Sequence, residues 1–230
     1  MNTKSKHMPQ HRSTAERISM FLVLMTALIM ITFTSTASAN DNQAADQIIS
    51  ETTNRMLEAL KQERDVITQH PERVHELANQ IIMPHVDFQR MSSWVLGKHW
   101  RRATTEQKQQ FPAQFRSLIL RTYATALSEY TDETISYLPL RASNDEMDVT
   151  VKTIIERTSG PGIPVAYRMH QTQLGWKVYD ISIDGISLVN NYRRSFSSEI
   201  RRNGLNGLIN KLMAKNSSLA TKHSQLASNQ

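Results

Sequence analysis

The sequence predicts an α+β fold in which a four-stranded antiparallel curved sheet is covered by helices. Three observations predict it. Apolar residues recur at helical spacing up to about residue 131. From residue 135 they alternate with polar neighbours in short runs. Glycine-bearing turns join those runs, the pattern of an antiparallel meander with one face in need of cover.

The first element, residues 1–39, reads as a secretory signal peptide. Lys4, Lys6, Arg12 and Arg17 form a basic start. An apolar run over 18–33 follows, broken only by Ser19, Thr26 and Thr32, and Ala37-Ser38-Ala39 supplies a small-x-small cleavage pattern. Sixteen helical residues reach about 24 Å, short of the roughly 30 Å hydrocarbon core, so cleavage after Ala39 and export to the periplasm are expected. The leader carries four of the 27 Lys/Arg and one of the 21 Asp/Glu, leaving 23 against 20, a net charge of +3. That balance makes no case for nucleic acid, because the aromatic residues sit at core-like spacings and not among basic runs. The sequence has no cysteine, which excludes disulfides, thiolate chemistry and a Cys-linked lipid anchor. A monomer resting on its hydrophobic core alone is expected.

Residues 40–215 form the expected domain. Ala45, Ile48, Ile49, Thr52, Met56, Leu60 and Ile67 give a first helical stripe. His70-Pro71 ends it and opens a second, with Val74, Leu77, Ile81 and Ile82, which Pro84 stops. A shorter helix over 87–96 ends at Gly97, a left-handed cap. Thr104 with Gln107 makes a capping box ahead of Phe111, Phe115, Leu118, Ile119, Thr122 and Ala126. Pro112 lies inside that run and is expected to kink or split the helix.

Ile135 and Tyr137 start the sheet. Met147, Val149, Val151, Thr153 and Ile155 make the second strand, and Ile163, Val165, Tyr167 and Met169 the third after the 160–162 Gly-Pro-Gly turn. Leu174-Gly175 turns into a fourth strand over 176–183. Asp184-Gly185 then leaves the sheet, and Ile186, Val189, Tyr192, Phe196 and Ile200 form a helical stripe to Gly204. Leu205, Leu208, Ile209, Leu212 and Met213 form a last amphipathic helix, and residues 216–230 read as a flexible polar tail.

Convergent chemistry is sparse. His85-Val86-Asp87 reads as a helix start with Asp87 as cap, and His70 and His75 are five apart, off the spacing of a two-histidine metal site. Asp180, two residues on from Val178, is expected on the face of Trp176 and Val178, where a carboxylate base would interest an enzyme; its plainer role is to pair with a basic side chain or cap a turn. No catalytic residue, metal ligand or cofactor is assigned. The doublets Arg101-Arg102, Arg193-Arg194 and Arg201-Arg202 are either solvated helix faces or contacts for an acidic headgroup or protein. Periodicity alone does not distinguish a filled core from a pocket.

Two segments carry a resemblance. Val95-Leu96-Gly97-Lys98-His99-Trp100-Arg101-Arg102-Ala103-Thr104, continuing through Gln107, Phe111, Phe115 and Tyr123-Ala124, is one. Trp176-Lys177-Val178-Tyr179-Asp180, then Asp184-Gly185-Ile186-Ser187-Leu188, Asn190-Asn191-Tyr192-Arg193 and Phe196, is the other. Both resemble the MlaC family, also described as toluene-tolerance auxiliary proteins, over roughly residues 45–215. Pro112 departs from the family pattern. The resemblance implies a nuclear-transport-factor-like cone with an extra helical lobe. It also implies a periplasmic phospholipid carrier, maintaining outer-membrane lipid asymmetry without being an enzyme. Its implied partners are an outer-membrane lipoprotein complex and an inner-membrane ABC transporter with an MCE-domain subunit. The lipid pocket is expected to be lined by Val149, Val151, Val165, Tyr167, Trp176 and Val178 from strands, with Trp100, Phe115, Ile119, Tyr192 and Phe196 from helices. A purely protein-binding adaptor or chaperone, or a cone-fold enzyme using Asp180, is the alternative.

Overall fold

A computed structural model of the chain describes residues 43–127, 134–141, 146–157 and 159–228. The expected leader lies outside the described residues. The chain is α+β: a helix-rich body and one antiparallel sheet.

Helix α1 (Gln43–Gln62) buries two successive parts of one stripe against different neighbours. Ala45 and Ile49 pack on the sheet, whereas Met56 and Leu60 join Val74, Leu77, Ala78 and Ile81 of α3 (Arg73–Ile81). A short α2 (Arg64–Gln69) lies between them, and Arg73 ties back to Glu63. A 3-10 turn (Met83–His85) leads into α4 (Phe88–Leu96), α5 (Lys98–Arg102) and α6 (Thr105–Leu127). The capping box forms as expected: Gln107 N–H donates to Thr104 Oγ1 at 3.2 Å, and Thr104 N–H to Gln107 Oε1 at 3.0 Å.

Pro112 does not split α6, which runs unbroken through it. Proline removes the donor that the Lys108 carbonyl would have received from residue 112. Gln89 of α4 supplies a substitute, its Nε2 donating to that carbonyl at 3.4 Å. A second helix thus offsets a local defect that the sequence of α6 alone could not resolve.

The sheet has five strands, not four: β1 (Ile135–Tyr137), β2 (Asp148–Ile155), β3 (Ile163–Thr172), β4 (Gly175–Ile183) and β5 (Ile186–Ser187), in sequential order. The added strand is a two-residue hairpin return. Asp184 and Gly185 take φ of 48° and 76°, and Ile186 pairs with Ile183 instead of starting a helix. Two residues are too short to show a period, although Asp-Gly is a hairpin signal in its own right.

Helix α7 (Leu188–Ser228) follows, broken at Gly204, where φ is 69° and ψ 176°. Asp180 and Ser187 cap its start. Asp180 Oδ1 accepts from Val189 N–H at 3.1 Å and Oδ2 from the Ser187 hydroxyl at 2.7 Å; Ser187 Oγ accepts from Asn190 N–H. The helix continues beyond residue 215 to Ser228, and Asn216 is buried with its amide donating to Gln114. Helices α4, α6 and α7 enclose an aromatic core in which Phe111 and Phe115 stack at 5.7 Å and Phe196 meets both edge-on at 5.8 Å.

Val86 and Asp87 join helices to sheet. Val86 pairs with Val178 alongside β4, and Asp87 N–H donates to the Val178 carbonyl at 2.8 Å. The Asp87 carboxylate then accepts from Arg90 N–H at 2.8 Å, capping α4, and from the His170 ring at 2.9 Å. Losing the cap and a partly buried acceptor together costs about 2–3 kcal/mol. Asp87→Ala should therefore lower the unfolding free energy by about that amount in urea titration, whereas Asp87→Asn, which keeps an acceptor oxygen, should lose less than half of it.

Candidate functional site

The inner face of the sheet is apolar. Side chains alternate along β2, so that Val149, Val151 and Thr153 are buried while Asp148, Thr150 and Lys152 are exposed. The register sets Val149 beside Met169 and Val178, Val151 beside Tyr167 and Ile181, and Thr153 beside Val165 and Ile183. Trp176 completes the row opposite Gln171. Ala45 and Ile49 of α1 cover this face, with Ile48 and Leu140 at its margin. All six strand residues singled out from the sequence occupy it. Burial raises the Tyr167 phenol above its ordinary value.

The five helical residues lie in a different cluster. Phe115, Ile119 and Phe196 belong to the aromatic core, and Trp100 and Tyr192 pack half-buried against it. Tyr192 lies 5.2 Å from Phe115, ring to ring, and burial with the Tyr123 hydrogen bond pushes its phenol well up. Val86 touches both clusters. Helical and strand periodicity mark which residues are buried, but not against which partner. Met169, Ile181, Ala45 and Ile49 share the apolar sheet face without having been among the expected lipid-lining residues, although Met169 already stood in the alternating pattern.

Asp180 leaves the face of Trp176 and Val178, contrary to expectation. The register shifts at Arg168/Met169, so that Met169 opposes Val178 but Arg168 opposes Asp180. The extra residue, Tyr179, reverses the alternation, as a β-bulge does. Asp180 is buried as the acceptor that caps α7, with both oxygens engaged.

The bulge also builds an aromatic and cationic layer on the opposite face. Arg168 lies 5.0 Å from the Trp94 ring and 4.9 Å from that of Tyr179, and Arg90 lies 4.6 Å from Tyr179. His170 is buried between Asp87 and Arg90. Arginine only donates, so His170 Nδ1 accepts from Arg90 at 3.2 Å and Nε2 carries the proton given to Asp87. Arg90 also donates to Asp148 Oδ1 at 2.6 Å.

A groove of about 760 Å³ runs between the 3-10 turn, α6 and the β3–β4 turn, with Met83, Val86, Phe88, Pro112 and Leu174 among its walls. None of the eleven expected residues lines it. Among the described residues no group of three potential metal ligands occurs, and no helix is long and apolar enough to cross a membrane. All six arginines of the three doublets are exposed.

Two histidines contribute to the acid response. Burial, then Lys177 and Arg55, depress His85 against a smaller opposing effect of Glu51; burial, then Lys98, Arg102 and Arg201, depress His99. A histidine depressed in the folded state binds its proton more readily when unfolded, so stability is lost as pH falls through the ordinary histidine range. The denaturation midpoint should fall between about pH 7.5 and 5.5, and a His85→Gln/His99→Gln variant should fall less over that interval.

Comparisons with known proteins place this geometry. The profile of the MlaC protein family matches residues 50–214. The chain is 28% identical over 184 residues to toluene tolerance protein ttg2D of Pseudomonas putida, covering 80% of this chain and 82% of that one. It is 24% identical over 201 residues to the intermembrane phospholipid transport system binding protein MlaC of Haemophilus influenzae, covering 84% and 90%. Among solved structures, the phospholipid-binding protein of Ralstonia solanacearum, in complex with a phospholipid, superposes with a TM-score of 0.70 at 35% identity, over 76% of this chain and 98% of that one. The sequence motifs, the α+β architecture and the matched span agree: this chain belongs to the MlaC family.

Proposed function

We propose that the protein is a soluble periplasmic phospholipid carrier whose acyl chains lie against the inner face of the sheet. The observation that carries this reading is the Ralstonia protein, which holds a phospholipid and aligns with this chain over nearly its whole length. In this reading residues 1–39 are an export leader removed after Ala39, and the lipid-binding part is a nuclear-transport-factor-like cone with an added helical lobe. Val149, Val151, Val165, Tyr167, Trp176 and Val178 form one wall of the pocket. Trp100, Phe115, Ile119, Tyr192 and Phe196 form the helical wall, reached across Val86. The carrier performs no chemistry. It collects lipid at one membrane assembly and yields it at another, an outer-membrane lipoprotein complex and an inner-membrane MCE-domain ABC transporter.

The energetics suit a shuttle. Burying a methylene is worth about 0.8 kcal/mol, so two acyl chains account for roughly 25 kcal/mol against water. Exchange between a bilayer and an apolar pocket swaps one apolar setting for another, so the net change is small and direction comes from the partners. A pocket held open without lipid forfeits packing contacts, which favours partial collapse of the empty form.

Protein purified from the periplasm and extracted with organic solvent should yield stoichiometric phospholipid by mass spectrometry; folded protein without lipid would contradict the reading. A buried cation on the apolar face costs several kcal/mol, so Val165→Arg should reduce recovered lipid about tenfold or more. Ile181→Arg, at a half-buried neighbouring position, should do the same with the circular dichroism spectrum retained. Undiminished lipid in both folded variants would assign the chains to another surface.

A further inference from the structure

We propose that the basic face formed by α5 and the first turns of α7 docks on the surface of an anionic lipid bilayer. Two stretches of the sequence contain no acidic residue, 97–105 and 185–198, and between them carry Lys98, Arg101, Arg102, Arg193 and Arg194. The fold sets them side by side. Gly97 takes φ of 54°, and a Cβ built there would lie 2.5 Å from Arg193 Nη2, so the Arg193 guanidinium lies across the α4–α5 junction. The charges acting on His99 are Lys98, Arg102 and Arg201, all cations, which brings the middle of α7 onto the same face. At 100° per residue, Arg193, Arg194 and Arg201 lie within about 100° of one another around the helix. Arg202 points elsewhere, toward Glu199 at 3.5 Å, and that carboxylate is also held by Lys211 at 2.6 Å.

The chemistry of the face selects the partner. Lys98, Arg102, Arg193, Arg194 and Arg201 are all exposed. Trp100 turns inward against the aromatic core. Among the described residues, Ile186, 60% exposed on β5, is the one large exposed apolar side chain in 97–105 or 185–202. A specific protein interface is built round an apolar, desolvated centre, and a single isoleucine ahead of α7 does not make one. Dense cations with so little apolar surface fit a diffuse layer of negative charge, each cation adding about tenfold or less to adsorption on anionic lipid. None of these cations is among the residues assigned to the cargo, whose Trp100, Tyr192 and Phe196 turn toward the aromatic core, so the face is tested separately from the carrier reading.

The test is sedimentation of the full mature protein with vesicles of phosphatidylcholine alone and of phosphatidylcholine mixed with phosphatidylglycerol. Binding should require phosphatidylglycerol and disappear at about 1 M salt, where the Debye length is about 3 Å. Arg102→Gln/Arg201→Gln should weaken it about 30-fold, while Lys61→Gln/Lys152→Gln, removing the same charge elsewhere, should weaken it less than about threefold. Solvent-extracted cargo should be unchanged in both variants. Equal binding to both vesicle types, or equal losses in the two variants, would overturn the proposal. Failure of the unmodified protein to bind either vesicle would also overturn it, leaving an acidic protein as the partner of this face.

Discussion

The carboxylate of Asp87 is the constraint on which the rest of the structure depends. It caps α4, accepts the Nε2 proton of His170 on β3, and belongs to a residue whose backbone bonds to β4. Three elements are fixed by one side chain and its own peptide. The next residue back, Val86, contributes to both the aromatic core of the helices and the apolar core on the sheet. Helix α1, the cap of α7 and the contacts of Trp94 with Tyr179 and Arg168 add further ties between the helical body and the sheet. Arg90 extends the joint by bridging His170 and Asp148, so β2 is held too.

From that joint the two faces of the sheet acquire different characters. The face under α1 is a continuous row of aliphatic and aromatic residues from β2, β3 and β4. The other is polar, with Arg168 and Arg90 stacked on Tyr179 and Trp94. The bulge at Arg168/Met169 makes the division possible, since it lets Val178 and Ile181 share the apolar face although they lie three residues apart. A sheet with one largely apolar face covered by a helix suits a cargo of acyl chains, which needs area and depth more than directed hydrogen bonds.

Much of this was legible in the sequence because local rules decided it. The capping box at Thr104, the cap at Asp87 and the alternation of β2 followed from short-range chemistry and appear as expected. What could not be read depended on partners far along the chain. Pro112 is tolerated because Gln89 reaches the Lys108 carbonyl from another helix. Asp180 changes face because of a bulge set by strand pairing, and β5 is too short to have a period. The grouping of the expected residues was half legible for the same reason. Strand alternation identified six residues of one apolar face, but helical periodicity could not say that Phe115 and Phe196 pack on Phe111 and away from the sheet.

The proposed contact of acyl chains with the inner face of the sheet is tested most directly by photocrosslinking with a phospholipid bearing a diazirine along its acyl chain, followed by peptide mass spectrometry of the loaded protein. Adducts are expected on residues 149–151, 165–169 and 176–181, on apolar side chains of that face. Adducts confined to the groove walls at Met83, Phe88 and Leu174, or to the polar face around Trp94 and Tyr179, would contradict it.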